Sequence, residues 1–277
     1  MRLALSLLLG AGLLGGCATT ATPPRDDVAL RAAIAGPQRD PANVARDGAR
    51  HPYETLRFFG IRPDMTVVEI WPGGGWYTEI LAPYLKPQGK LYAAHFDPDT
   101  QTPYFRDSRA KFEAKLAAQP EIYGAVEITA FDPPGAVAIA PPDSADLVLT
   151  FRNVHNWYMR GGGEVRLNAA FHAMYTALKP GGVLGIVDHR LPSSRPASEQ
   201  EDSGYMLPDV VITAAERVGF KLVESSEINA NPKDTADHPN GVWTLPPTLR
   251  IDAAQRERYR DIGESDRMTL KFVKPRR

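Results

Sequence analysis

Cysteine is nearly missing from the chain: Cys17 is the only one in 277 residues. No intrachain disulfide can form, and cysteine usage says nothing about redox compartment. An excess of either charge is missing as well. Lys and Arg number 32 against 33 Asp and Glu, so the electrostatic footprint of a nucleic-acid binder is excluded and no such partner is expected. No apolar run is long enough for a comfortable bilayer span; the longest, Leu3 to Leu14, stops short of it. Diagnostic metal-ligand spacings are lacking, so no metal is assigned, although Asp188, His189 and His155 could share one. What is abundant is proline, 25 residues spread between elements rather than gathered in one tract. That reads as stiff loops around a folded core.

The most informative stretch begins at Val67-Val68-Glu69-Ile70, a β-branched run carrying an acid, which reads as a short buried strand. Trp71-Pro72 and then Gly73-Gly74-Gly75 follow, after which Tyr77, Ile80, Leu81 and Tyr84 recur at helical spacing. Strand, glycine turn and helix form the first unit of a nucleotide-binding α/β fold. The glycines let bare backbone approach a ligand, and the helix start offers free N–H groups. A dinucleotide loop would have a further glycine where Thr78 stands, and a phosphate loop would need Gly-Lys-Ser/Thr, which is absent. The turn therefore either cradles a ligand without a pyrophosphate or is only a tight connection.

The rest of the chain supplies alternating elements. A short helix is expected over 28–34 and another from Pro52 to Phe59, stopped by Gly60. Arg50 and His51, just before it, either face the site or cap the surface. Strands are expected at 65–70, 90–96, 126–131, 143–151, 183–189, 220–228 and 268–273, with helices over 104–118, 164–178 and 207–218. At the end of the second strand His95 and Asp97 share one side, and either could reach a ribose. Asp132 closes the third strand, as a ligand or as the start of an Asp-Pro turn. Arg152-Asn153-Val154-His155-Asn156-Trp157-Tyr158 follows the fourth strand; it is poor core and good pocket lining. Residues 229–266 form a long insert rich in Pro and Asp, read as a candidate lid.

Glu69 with Gly73 to Gly75, and Leu178-Lys179-Pro180-Gly181-Gly182 before the fifth strand, resemble the class I S-adenosylmethionine (SAM)-dependent methyltransferases. The wording Glu-Ile-Trp-Pro-Gly-Gly-Gly-Trp-Tyr after an Arg-His-Pro resembles a branch of uncharacterised bacterial methyltransferases. The resemblance covers roughly residues 48–275. It implies an α/β, Rossmann-like, seven-stranded and mostly parallel sheet with helices on both faces, its last strand antiparallel between strands five and six. It implies SAM as cofactor, with Glu69 closing strand one, Gly73, Gly74 and Gly75 under the methionine moiety, His95 or Asp97 at the ribose, Asp132 at the adenine amino group, and Arg152 and Asn153 beside them. Trp71 stands where a glycine is usual, so its bulk caps the pocket or partly closes it. For a small-molecule acceptor that must lose a proton, His155 is the first candidate base and His189 the second, with Asp188 to orient either. Each histidine is otherwise structural.

Met1-Arg2, the apolar run and Leu14-Gly15-Gly16-Cys17 resemble a bacterial lipoprotein signal. That implies a signal peptide at 1–16, a lipid on Cys17, a tether and helical segment over 17–47, and the methyltransferase-like domain from 48 to 277. The expected location is the periplasmic face of a bacterial membrane, the outer membrane, with the lipid as membrane partner. A plain secretory signal with an incidental cysteine is the alternative. Export away from cytoplasmic SAM, together with Trp71 and His95, favours a second class of function: a ligand-binding or scaffold lipoprotein that kept the fold without catalysis. A third is a Rossmann enzyme using another nucleoside.

Overall fold

The computed structural model describes residues 25–276; the segment expected to be a signal peptide, 1–16, and Cys17 lie outside them. Seven strands form one sheet. They are β1 (Thr66–Ile70), β2 (Lys90–His95), β3 (Glu127–Ala130), β4 (Ala145–Phe151), β5 (Leu178–His189), β6 (Lys221–Ser226) and β8 (Arg267–Val273); β7 (Pro239–Val242) is a short strand inside the insert. The order is β3-β2-β1-β4-β5-β8-β6. Strands β1 to β5 pair in parallel, and β8 runs antiparallel to both β5 and β6. The expected reversal of the last strand, between the fifth and sixth, is therefore present. The expected fifth strand begins five residues earlier, at Leu178, so the Lys-Pro-Gly-Gly turn lies within β5.

Both faces of the sheet are covered, which is why the parallel strands are apolar almost throughout. Along β1, Val67 joins a cluster on one face with Leu56, Phe59, Ile80, Leu81 and Phe112. Val68 and Ile70 join the other, with Leu167, Phe171, Met174, Val211 and Ala215. The chain switches direction of winding between β1 and β4, and a crevice opens beyond the carboxyl ends of these two strands.

Two expectations change. The helix expected over 28–34 is present and begins at Arg25, and residues 39–47 pack on the domain that was expected to start only at 48. The helix Arg25–Ile34 buries Leu30 and Ala33 in the core. The buried carboxylate of Glu79 accepts from the Asn43 amide (2.9 Å) and pairs with Lys115 and Arg39. The Trp76 indole donates to the Asn43 carbonyl at 3.0 Å. A buried carboxylate needs such partners, and the segment before residue 48 supplies them. The insert is likewise a structured wall. It holds β7 and the helix Arg256–Ile262, pinned by the fully buried Asp234 side chain, which accepts from the Tyr205 hydroxyl, the His238 ring and the Asp266 amide.

If residues 25–47 belong to the domain, Leu30→Ala lowers unfolding free energy by about 2–5 kcal/mol, as in any core. A denaturant melt reads this; a tether position would move it by less than about 0.5 kcal/mol.

Candidate functional site

A cavity of about 720 Å³ opens at the crevice between β1 and β4. Its floor is the glycine turn. Gly73 and Gly74 line it, and a Cβ at either would meet nothing within 4 Å. Gly75 does not line it. It turns away at φ +84°, where a Cβ would press on Phe112 at 3.3 Å, so its role is the entry to the helix Thr78–Leu85. The turn is held from outside the cavity: Lys115 Nζ donates to the Gly74 carbonyl at 3.0 Å.

His95 holds the other carbonyl. Its Nδ1 accepts from the Phe96 amide at 2.8 Å, so the ring proton sits on Nε2 and points at the Gly73 oxygen, 3.2 Å away. Burial pushes the imidazole down to about 4, so it is neutral at ordinary pH. Neither His95 nor Asp97 lines the cavity; Phe96, between them, does. β2 ends at His95, whose ring is turned to the glycine turn; Asp97 lies past the strand and accepts from the Asp99 amide at 2.9 Å. Asp132 is also away from the cavity, bridged to Ala136 and 3.6 Å from Arg166.

Glu69 does line the cavity, though it is 98 % shielded from solvent. Its carboxyl accepts from Thr78 Oγ1 at 2.6 Å. Burial pushes it up to about 7, the Thr78 hydrogen bond opposing. Asn153 borders the cavity, but its amide is spent on the Ile70 carbonyl (2.9 Å), tying the end of β1 to the end of β4.

Trp71 decides the shape of the upper cleft. It adopts φ +43°, a conformation suited to glycine. Its ring packs between Phe96 (centroids 4.7 Å) and Trp157 (5.6 Å), with Phe131 at 6.0 Å. Its Nε1–H donates to the Phe131 carbonyl at 2.7 Å.

The opposite side carries acid–base groups. His155, expected just after the fourth strand, lies in the short helix Val154–Tyr158. Its Nδ1 is 2.8 Å from Asp188 Oδ1, and its backbone amide donates to Oδ2 at 2.9 Å. Asp188 is fully buried and also accepts the His189 amide at 2.8 Å. An acceptor-only carboxylate fixes the proton of His155 on Nδ1 and leaves Nε2, without a protein partner among the described residues, on the cavity side. His189 lies 5.0 Å from the His155 ring and bonds Ser265 Oγ at 2.5 Å. Burial first, then His155 and Arg152, hold it well below the usual histidine range. The ligand atoms of His155, Asp188 and His189 lie within 4.8 Å of one another. A cation there would face guanidinium groups, which makes the trio better suited to moving protons.

Those guanidinium groups went largely unsignalled in the sequence. Six arginines line the cavity (Arg46, Arg50, Arg152, Arg160, Arg166, Arg250) against two acids, Glu69 and Glu264. Arg152 was anticipated beside the cofactor, and Arg50 was the one residue of the Arg-His-Pro stretch to reach the site; His51 forms the left-handed entry to the helix Pro52–Phe59. Glu264, Ser265 and Trp243 come from the insert, whose wall role gave no local motif.

No protein-family model matches the sequence, and no curated protein matches it either. Solved structures do match. A SAM-dependent methyltransferase from Aquifex aeolicus aligns with 90 % of this chain and 98 % of its own, at 15 % identity and a TM-score of 0.54. The [4+2]-cyclase SpnF aligns with 91 % of this chain and 94 % of its own, at 14 % identity and 0.56. The fold is that of the class I SAM-dependent methyltransferases. The methyltransferase fold makes a test of fit possible. Along the floor the residues suit SAM: open backbone at Gly73 and Gly74 beside Glu69. At the purine end, next to the close of β3, the indole of Trp71 sits in the cleft with its N–H on a main-chain carbonyl. The indole takes up room at that end of the cleft, and about 720 Å³ stays open with the ring in place.

A carboxyl raised on folding contributes stability below its unfolded value of 4.5 and loses it as pH rises through about 7. Glu69→Gln should therefore gain on the order of 3 kcal/mol relative to the native chain between pH 4.5 and 7. Parallel denaturant melts across that range check it; a pH-independent difference contradicts the assignment.

Proposed function

We propose that this cavity carries out SAM-dependent methyl transfer to a small-molecule or envelope acceptor. The observation that carries the reading is the floor: unhindered Gly73 and Gly74 beside a buried carboxyl, at the switch point of a methyltransferase fold. Bound SAM supplies an electrophilic methyl group on a sulfonium. The chain does the rest by position. Gly73 and Gly74 present bare backbone, kept in place by His95 and Lys115. His155 Nε2 takes the proton that an acceptor hydroxyl or carbon acid must lose, and Asp188 steadies the imidazolium through Nδ1. In this reading the site is displayed by an exported protein lipidated at Cys17, a proposal that rests on the sequence Leu14-Gly15-Gly16-Cys17 alone.

Trp71 favours a second reading, a ligand-binding protein on the same fold. Turning the ring out forfeits aromatic packing and a hydrogen bond. The net cost is a few kcal/mol, roughly a hundredfold in affinity. Folds do not fix chemistry, and a structural neighbour is itself a [4+2]-cyclase.

Isothermal titration with SAM separates the two. Methyl transfer predicts weak saturable binding by the native chain, at least about tenfold tighter binding by Trp71→Gly, and a methylated product lost in His155→Ala. Absence of heat with both proteins leaves the binding-protein reading. Equally tight binding by both shows that Trp71 obstructs nothing.

A further inference from the structure

The far wall of the cavity holds more positive charge than the protein neutralises. The Glu264 carboxylate, almost fully buried, receives Arg46 Nε at 2.6 Å, Arg50 Nε at 3.3 Å and Arg267 Nη1 at 3.1 Å. Arg152 adds a fourth guanidinium. Its side chain has no hydrogen-bond or ion-pair partner among the described residues and borders the cavity. Four cations thus share one anion. Arg50 is 98 % shielded, and its Nη2 is buried without a partner, as are Arg46 Nη2 and Arg267 Nε. Burying unpaired charge is costly, and chains rarely keep such an excess without a use for it.

The charges also depress one another. Burial, then Arg152, holds Arg50 at about 8; burial would raise Glu264, yet Arg50 and Arg267 keep it at about 2. Around the cluster the walls are flat and apolar. Arg50 lies 4.7 Å over the Trp76 ring, and Tyr77 stacks on Phe151 at 3.5 Å. Trp243 stands 6.2 Å from His155.

We propose that Arg50 and Arg152 form a binding site for the anionic head of a small organic acid, carboxylate or phosphate, whose body lies against Tyr77 and Trp243 and reaches toward His155. Guanidinium is suited to both oxyanions because its donors match their paired oxygens. That this acid is the methyl acceptor rests on the reading above; that it binds does not. A neutral or cationic ligand would leave the excess charge in place.

The test omits SAM, so its outcome is independent of methyl transfer. The native protein is titrated calorimetrically with inorganic phosphate and, separately, with succinate; the two arms distinguish the head groups. At least one should bind saturably, and weaken with added salt. Arg152→Gln should weaken it about tenfold or more, and Arg152→Lys, which keeps the charge but not the paired donors, should fall between the native protein and that variant. Arg57→Gln, on the exposed face of the helix Pro52–Phe59 and paired with Asp27, should leave it unchanged. Since the Arg152 side chain has no partner to lose, Arg152→Gln should melt at the same or a higher temperature than the native protein. No saturable binding of either anion by the native protein, or equal binding by Arg152→Gln, overturns the proposal.

Discussion

An indole ring bonded to a main-chain carbonyl sets the character of this cleft. Trp71 N–H reaches the Phe131 oxygen across the carboxyl ends of β1 and β3, and the ring is gripped by Phe96 and Trp157. The residue is held at a left-handed φ of +43°, and its ring forms part of the wall of one continuous cavity that runs over Gly73 and Gly74 toward His155 and the arginines. Whatever binds there meets the indole as a wall or displaces it.

The cavity is polarised. Near the floor burial raises the Glu69 carboxyl to about 7, while His95, held behind the glycine turn, is lowered by burial. At the far wall it gathers guanidinium groups around a single carboxylate. Between them lies a histidine whose tautomer is fixed by a buried aspartate. A sulfonium donor near the floor and an anionic acceptor at the far wall would each meet a compatible field, with the base between them.

Much of the fold was legible in the sequence because its signals are local. β-branched runs, helical spacing and glycine-rich turns place the strands, and the terminal alternation Met268 to Val273 marks the closing strand, whose antiparallel direction came only from the family resemblance. Trp71 was legible as an oddity, but the direction of its ring was not, because spacing does not fix a rotamer. Strand alternation could not place His95 and Asp97, because β2 ends at His95 and the glycine turn folds back to take its ring. The arginine cluster was least legible. Arg46 and Glu264 lie 218 positions apart, and only the sheet's closing strand and the insert wall bring them together. The helix over 28–34 was legible, but the docking of residues 39–47 on the domain was not, because Arg39 and Asn43 find their buried partner, Glu79, only in the folded state.

The most direct measurement is the indole N–H resonance of Trp71 in a ¹⁵N-labelled sample, assigned with Trp71→Phe and followed while SAM is added. The account predicts a signal protected from solvent exchange in the free protein that loses protection as SAM binds, because the ring must leave the Phe131 carbonyl. Saturation with SAM while that resonance keeps its position and protection would contradict it.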